Sequence, residues 1–220
     1  MLSPKLDIYI IGAGGHARVV LDIILKSECW NFRGFITNSD ERELHGYPVT
    51  HEDEFLNDKR IDPANTALVI GVGENYIRQK IYNKFSECEF QFPSIVSSSA
   101  IVSDNVFLND GCVVMPGAII NTGASIGMFS VVNTGAVIDH DCKAGDFTSL
   151  SPSATLCGNV VVEEGAFIGA GASVSHGVKI GEWSVIGGGA FVKSDVEPLT
   201  LVCGVPAKTI GSRQKIDPVL

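Results

Sequence analysis

Basic residues are scarce in this chain of 220 residues. It has 16 lysines and arginines against 25 aspartates and glutamates, a formal net charge of −9 at pH 7. A surface with this excess of negative charge repels the phosphate backbone of DNA and RNA. We therefore expect no nucleic-acid partner, although local basic residues can still meet an anionic small molecule.

Long apolar segments are also missing. The first apolar run, Ile8 to Ile11, ends in glycines and is far shorter than the core of a signal sequence. The longest uncharged stretch, 111–138, is interrupted by glycine, asparagine, serine and threonine, unlike a transmembrane helix. We therefore expect a cytoplasmic protein that does not bind a membrane.

The six cysteines form no C-x-x-C pair and show no spacing typical of a metal site. Reduced, mostly structural thiols in the cytoplasm explain them best. We expect no disulfide framework and no bound metal.

A six-residue repeat fills the second half of the chain. In blocks of six read from Ala100, the third position is aliphatic in sixteen successive blocks, from Val102 to Val192, and Ala144 is its smallest member. The first position is small or β-branched in every block. This period fits neither an α-helix nor an alternating strand. It predicts a solenoid of three-sided coils, with one hexapeptide on each side and the aliphatic residue inside.

The outer surface of this solenoid raises a second expectation. The uncharged stretch 111–138 would leave outward faces that water does not favour, and a subunit interface would bury them. A neutral polar surface rich in asparagine, serine and threonine is the alternative.

Residues 1–93 follow a different pattern, in which short apolar runs alternate with helical segments. Strands are expected at Asp7–Ile11, Arg33–Thr37 and Thr66–Val72, and helices at about Ala17–Ser27 and Tyr76–Lys84. The alternation predicts a small Rossmann-like α/β domain with a parallel sheet over 1–93, followed by the solenoid over 94–220. His45 and His51 are expected in a polar loop without a chemical role.

A glycine turn joins the first strand to the first helix. Gly12, Gly14 and Ala17 match the G-x-G-x-x-A pattern, which brings backbone N–H groups and a helix N-terminus to a phosphate. The second strand ends in Thr37 and Asn38 rather than in the acidic residue that NAD requires, so a nucleotide sugar is the better candidate. The expected substrate-binding residues are Gly14, Gly15, His16, Thr37, Asn38 and Gly73.

The whole chain resembles one enzyme family. Residues 12–20 (GAGGHARVV), 71–75 (GVGEN) and the hexad repeat are similar to the hexapeptide-repeat acyltransferases, in particular to bacterial nucleotide-sugar N-acetyltransferases related to sialic acid O-acetyltransferases. The resemblance implies a left-handed parallel β-helix, acetyl-CoA as co-substrate, and a homotrimer with active sites between subunits.

The implied reaction moves acetyl from acetyl-CoA to the 4-amino group of a nucleotide-linked deoxy amino sugar. The resemblance favours a UDP-sugar for surface glycan or glycoprotein biosynthesis, and GDP- and dTDP-sugars stay open. O-acetylation of sialic acid or another sugar is the second hypothesis. A γ-type carbonic anhydrase, an NAD-dependent oxidoreductase and a catalytically silent scaffold are weaker alternatives, and the solenoid offers no third histidine for a zinc site.

The segment 133–142 (NTGAVIDHDC) is the sharpest marker of this resemblance. It implies that His140 is the general base that removes a proton from the attacking amine, without an acyl-enzyme. Asp141 is expected to orient the ring and raise its basicity, and Asn133 completes the implied catalytic set. Asp139 could compete for the ring, but neighbouring residues on a strand point in opposite directions.

The coil length adds an expectation for the coenzyme. Eighteen residues a coil place His140, Gly158 and His176 in one column, about 4.8 Å apart, and Gly158 is expected to leave a slot for the pantetheine arm. Ser149 stands where relatives have a second histidine, and a hydroxyl contact to the thioester or substrate is expected there. The resemblance and the basic tail complete the expected coenzyme contacts with Ala170, Gly188, Lys208, Arg213 and Lys215.

Overall fold

A computed structural model of the chain describes residues 5–219. The outer bounds expected for the two domains, 1 and 220, lie outside these residues. The front part is an α/β sheet with three helices, and the rest is a parallel β-helix.

The front sheet has the strand order β3-β4-β2-β1-β5. Strands β4, β2, β1 and β5 run parallel, and β3 pairs antiparallel with β4. Its elements are β1 (Leu6–Ile11), α1 (Gly15–Leu25), β2 (Trp30–Thr37), β3 (Glu43–Leu44), β4 (Tyr47–His51), α2 (Glu52–Asn57), β5 (Thr66–Ile70) and α3 (Asn75–Phe85). Short 3₁₀ turns lie at Pro63–Asn65 and Ser86–Cys88.

The expected strands and helices of this sheet are all present, with ends that differ by a few residues. Sequence reasoning missed β3, β4 and α2, and the polar loop expected around His45 and His51 is wrong. His45 has a φ of 53° in the turn between β3 and β4. His51 ends β4, and its ring nitrogen accepts the Asp53 N–H at the start of α2. These elements are too short for a clear hydrophobic period, which is why the pattern missed them.

The β-helix has three faces built from two-residue strands and a terminal hairpin. Face 1 consists of β6 (Ile95–Val96), β9 (Val113–Val114), β12 (Val131–Val132), β15 (Ser149–Leu150), β18 (Phe167–Ile168), β21 (Val185–Ile186), β23 (Thr200–Cys203) and β24 (Lys208–Ser212). Face 2 consists of β7 (Ile101–Val102), β10 (Ile119–Ile120), β13 (Val137–Ile138), β16 (Thr155–Leu156), β19 (Ser173–Val174) and β22 (Phe191–Val192). Face 3 consists of β8 (Phe107–Leu108), β11 (Ser125–Ile126), β14 (Lys143–Ala144), β17 (Val161–Val162) and β20 (Lys179–Ile180).

The register confirms the predicted coil of eighteen residues. Ile119 pairs with Val137, and Val137 pairs with Thr155. The third residue of each block lies inside the prism, and the small first residue of most blocks belongs to the same apolar cluster. Shape as well as hydrophobicity therefore enforces the repeat, because two inward side chains from each of three faces must fit the narrow interior.

The three corners of the prism position the candidate site. The first corner, between faces 1 and 2, contains residues 115–117, 133–135, 151–153, 169–171 and 187–189. The second corner, between faces 2 and 3, contains 121–123, 139–141, 157–159, 175–177 and 193–195. The third corner, between faces 3 and 1, contains 109–111, 127–129, 145–147, 163–165 and 181–183.

The front sheet packs on face 1 and on the third corner. Val113 and Val131 of face 1 are buried in one cluster with the core of the front sheet. Phe129 stacks on Phe147 with ring centroids 5.6 Å apart, and Tyr82 of α3 packs against both rings. Part of the uncharged stretch 111–138 is therefore covered by the front sheet of the same chain, which sequence patterns do not show. The cover expected from a subunit interface stays a prediction for the rest of the stretch.

Within residues 5–219, no helix combines the length and the apolar composition needed to cross a bilayer.

Candidate active site

The carboxyl ends of β1 and β2 open into a cleft of about 480 Å³. Gly14, Thr37 and Asn38 line it, as the sequence predicts, together with Ser39 and Glu41. Gly12 needs its φ of 101° there, and a Cβ would come within 2.8 Å of Val72. In a doubly wound sheet ligands bind at this edge, near the point where the strand order reverses, which here lies between β1 and β5.

A second cavity, of about 330 Å³, lies where the front sheet meets the β-helix, and we call it the junction cavity. It brings together four predicted site residues from distant parts of the chain, His16, Gly73, Asn133 and Ser149. The full lining is His16, Gly73, Glu74, Val131, Asn133, Ser149, Ser151, Pro152, Phe167 and Val219. Its volume is at the lower end of the range of about 300–1,000 Å³ that is usual for small-molecule sites. Gly15, also predicted, is exposed at the start of α1.

His16 keeps an unused hydrogen-bonding atom at this cavity. Its Nε2 is buried and meets no hydrogen-bond partner among residues 5–219. Burial, and next the positive charge of Arg78, lower the pKa of His16 to about 4. The ring is therefore neutral near pH 7 and can offer a hydrogen bond to a ligand without adding a charge.

Arg78 of α3 holds the two domains together, and sequence reasoning missed it. Its side chain is 1% exposed, and its guanidinium donates to carbonyl oxygens of both domains. In the β-helix the acceptors include the carbonyls of Phe129 (2.9 Å) and Thr148 (3.0 Å), and in the front domain that of Gly73 (2.8 Å). Burial lowers the pKa of Arg78 to about 10, so it stays charged at neutral pH.

Ser149 belongs to this network. Its hydroxyl donates to Asn75 Oδ1 at 2.6 Å and accepts from Arg78 Nη2 at 3.1 Å. The Ser149 hydroxyl therefore already has a donor and an acceptor inside the chain, and the expected contact with the thioester would have to compete with them. Only the packing of α3 on face 1, which the repeat pattern does not encode, places Asn75 and Arg78 there.

His140 and Asp141 form the pair that the sequence predicts. His140 Nδ1 lies 2.9 Å from Asp141 Oδ2, and the hydrogen bond to Asp141 is the main cause that raises the pKa of His140. Asp139 does not compete for the ring, because its Oδ1 accepts the His140 backbone N–H and the Asn121 amide. With Nδ1–H donated to Asp141, Nε2 is the atom left to accept a proton.

Gly158, the residue that follows His140 in its column, leaves the space that the His140 imidazole occupies. A Cβ on Gly158 would come within 2.5 Å of His140 Cε1 and Nε2, so the ring lies over this glycine. The coenzyme slot expected above Gly158 is therefore filled by the His140 imidazole, since a ring that leans along its own column takes the nearest empty space. His176 follows in the column, with its ring centroid 6.4 Å from that of His140.

The other expected coenzyme residues lie on two different corners. Ala170 and Gly188 are exposed at the first corner, whereas Gly158 is buried beneath His140 at the second. Lys208 is exposed beside a cavity of about 320 Å³ at the end of the second corner, where Lys193 also lies. Sequence reasoning missed Lys193; its position in the column of Asp139, three coils later, could have identified it.

The tail cations have partners within the chain. Lys215 Nζ lies 4.1 Å from the centre of the Trp183 ring and 3.9 Å from Glu164. Arg213 donates to the backbone carbonyl of Asp217. Phosphate binding by these two residues would have to compete with contacts that the sequence did not predict.

Among residues 5–219 no cluster of three or more histidine, cysteine or acidic side chains has the geometry to hold an ion.

Two family models match the chain. The PglD N-terminal domain matches residues 7–85, and the bacterial transferase hexapeptide model of six repeats matches residues 159–194. The first covers the front sheet and α3, and the second covers two coils of the β-helix.

Solved structures match nearly the whole chain. A histidine-to-asparagine variant of perosamine N-acetyltransferase from Caulobacter crescentus, in complex with CoA and GDP-perosamine, is 36% identical; the match covers 94% of this chain and 97% of that one, with a TM-score of 0.88. The acetyltransferase domain of PglB from Neisseria gonorrhoeae in complex with acetyl coenzyme A is 30% identical over 94% and 100%, with a TM-score of 0.89. WeeI from Acinetobacter baumannii is 26% identical over 94% and 100%, with a TM-score of 0.83. The shared solenoid is the left-handed parallel β-helix.

Proposed function

The chain belongs to the hexapeptide-repeat sugar N-acetyltransferases, which use acetyl-CoA, and on that premise we propose that it acetylates the 4-amino group of a nucleotide-linked deoxy amino sugar. Residues 1–93 would bind the nucleotide sugar. Residues 94–220 would bind acetyl-CoA and provide the catalytic base. The product would feed surface glycan or glycoprotein biosynthesis. We also place the enzyme in the cytoplasm, where acetyl-CoA is available and where its six unpaired cysteines stay reduced.

The observation that carries this proposal is the His140–Asp141 pair on the exposed second corner. The amine nitrogen attacks the thioester carbonyl, the new C–N bond forms, and the C–S bond breaks. His140 Nε2 takes the proton that the amine loses and returns it to the departing thiolate, while Asp141 holds Nδ1–H. Direct attack needs no protein nucleophile, and the cysteines take no part.

The second corner also offers a path for acetyl-CoA. His140, Gly158, His176 and Ser194 stand in one column, so Ser194 lies three coils, about 14 Å, from His140. Lys193 and Lys208 lie beside the cavity at that end. We propose that the thioester sits at His140 and that the phosphates of the coenzyme meet these lysines.

The nucleotide would occupy the cleft at β1 and β2. Thr37, Asn38 and Gly14 line this cleft, and the start of α1 suits a diphosphate. The sugar would then extend into the junction cavity toward His16, Gly73 and Asn133. The family resemblance favours a UDP-sugar, whereas the relative at 36% identity binds GDP-perosamine. UDP-sugars and GDP-sugars are therefore both substrates to test.

One copy of the chain does not complete this site. The junction cavity borders face 1 and the first corner, whereas His140 lies on the second corner, across face 2. The outward residues of face 2 are uncharged and run from Ile101 and Ile119 through Val137 to Phe191. We propose a homotrimer in which face 2 is covered and His140 of one subunit meets the first corner of its neighbour, with Asn133, Ala170 and Gly188.

A thiol-release assay tests the proposed function. Purified enzyme is given acetyl-CoA and a panel of UDP-, GDP- and dTDP-linked 4-amino sugars, with the matching 4-hydroxy sugars and free sialic acid as comparisons. Release of CoA with one or more 4-amino nucleotide sugars is the expected result. Release only with sialic acid or a hydroxyl sugar would favour the O-acetyltransferase hypothesis and contradict the proposal.

A further inference from the structure

Glu74 carries a carboxylate that makes a single hydrogen bond among residues 5–219, with the Val219 N–H. It precedes α3 as its N-cap residue, yet its side chain makes no capping hydrogen bond. Its side chain lines the junction cavity instead.

Among residues 5–219, Glu74 is the only acidic residue in that lining. Its neighbours there are glycine, apolar side chains, hydroxyls, the Asn133 amide and His16. His16 is neutral near pH 7, because its pKa is lowered to about 4. Glu74 therefore carries the one formal charge within the lining itself, and the buried guanidinium of Arg78 lies behind Gly73 and Ser149.

One oxygen of the Glu74 carboxylate can still accept a hydrogen bond from a ligand. Oε2 accepts the Val219 N–H at 3.2 Å, and among residues 5–219 no donor meets Oε1. The charge of Arg78, one helical turn farther along, interacts with that of Glu74 through space, but its guanidinium donates its hydrogen bonds to carbonyl, amide and hydroxyl oxygens and not to the Glu74 carboxylate. A cationic group of a ligand would therefore find an acceptor that no protein cation already occupies.

From this geometry we infer that Glu74 is a specificity-determining residue, which binds the acceptor sugar as its ammonium form and selects amino sugars over hydroxyl sugars. The inference rests on the proposed function. An alkyl ammonium presents three donors, and hydrogen bonds between charged groups are about twice as strong as neutral ones. A hydroxyl in the same place offers a single neutral donor, so the carboxylate would discriminate between the two acceptors.

The chemistry assigns Glu74 a part in binding, not in the transfer itself. The bound ammonium loses one proton to solvent to become the nucleophilic amine. That amine attacks the thioester carbon, its second proton passes through His140 to the thiolate, and the products are the N-acetyl sugar and CoA. Because a carboxylate stabilises the ammonium, removing it should weaken binding of the amino sugar more than it slows transfer from the bound state.

Calorimetric binding in the absence of acetyl-CoA tests this inference. Wild-type enzyme, Glu74→Gln and Glu74→Asp are titrated with the 4-amino nucleotide sugar that the thiol-release assay identifies as the substrate. Each is also titrated with the 4-hydroxy counterpart of that sugar. In Glu74→Gln the Kd for the amino sugar should rise about 10- to 100-fold, the effect of removing a charged hydrogen bond. The Kd for the hydroxy sugar should stay within about twofold, and Glu74→Asp should keep part of the preference.

Glu164→Gln is the matched control. Glu164 lies at the same domain junction, where it accepts the Gln79 amide at 2.9 Å, but it does not line the cavity. Its variant should keep the full amino-sugar preference.

The outcomes separate the inference from the proposed function. Equal weakening of both sugars in Glu74→Gln and Glu74→Asp would show a structural role and overturn the inference, as would an unchanged preference. If wild-type enzyme binds neither nucleotide sugar, the proposed function fails and the inference falls with it.

Discussion

The imidazole of His140 lies directly over Gly158 of the next coil. A methyl group at position 158 would approach Cε1 and Nε2 of that ring to 2.5 Å. The rotamer of the proposed base thus depends on a residue eighteen positions away, because the two occupy the same place in successive coils.

Gly158→Ala should therefore reduce turnover without unfolding the protein. The ring must rotate away from the added methyl and lose its bond to Asp141, so we expect kcat to fall about 10- to 100-fold, part of the usual contribution of a general base. Steady-state kinetics measures kcat, and a thermal melt shows whether the variant stays folded.

Gly211→Ala is the control for that variant, since a Cβ at Gly211 meets no atom within 4 Å. It should leave kcat unchanged. A Gly158→Ala enzyme with wild-type kcat would contradict the packing of His140 on this glycine.

The pH profile should report the His140–Asp141 pair. Asp141 raises the pKa of His140, and only the neutral imidazole accepts a proton, so kcat/KM should rise with pH through this pKa. Asp141→Asn removes the bond that raises the pKa and should move the acid limb of the profile to lower pH. Its plateau should also fall, because the ring loses its orientation. An acid limb at the wild-type position would exclude Asp141 as the partner of His140.

Arg78→Met should weaken the docking of the front domain on the β-helix. The change leaves the carbonyls of Phe129 and Thr148 without this donor, and we expect a loss of about 2–4 kcal/mol in the free energy of unfolding. Urea unfolding followed by tryptophan fluorescence measures it, because Trp183 is buried at the same junction. Lys80→Met, an exposed change on the same helix, should cost less than about 0.5 kcal/mol. Equal free energies of unfolding for the two variants would contradict the role of Arg78 in holding the two domains together.

Mixed oligomers should recover activity that neither parent has. His140→Ala lacks the base, and Gly73→Phe should fill the junction cavity, since a Cβ at Gly73 has no neighbour within 4 Å. If the base and the cavity of each site come from different copies, equal co-expression should restore about a quarter of wild-type activity. No recovery in verified mixed oligomers would place each site within one chain.

The sequence predicts the β-helix in detail but only parts of the site. Val102 to Val192 determine the register of every coil, because one slip would expose the whole inner column. His140 and Asp141 are local neighbours on one corner, so a short motif suffices to predict their pairing.

The contacts of Asn75, Arg78 and Ser149 could not be predicted in this way. They depend on the angle at which α3 meets face 1, and residues more than seventy positions apart meet there. Glu74 and Val219 meet through the same packing, and no repeat or motif links them. Long-range docking of two domains leaves little periodic signal in a single sequence.

Product analysis with acetyl-CoA labelled with ¹³C in its acetyl group tests the central claim most directly. With the active 4-amino nucleotide sugar, wild-type enzyme should give an NMR spectrum with the label in an amide at C4, and His140→Ala should form that amide about 10²–10⁴ times more slowly. A label found in an ester, or an amide formed at the wild-type rate by His140→Ala, would contradict the account.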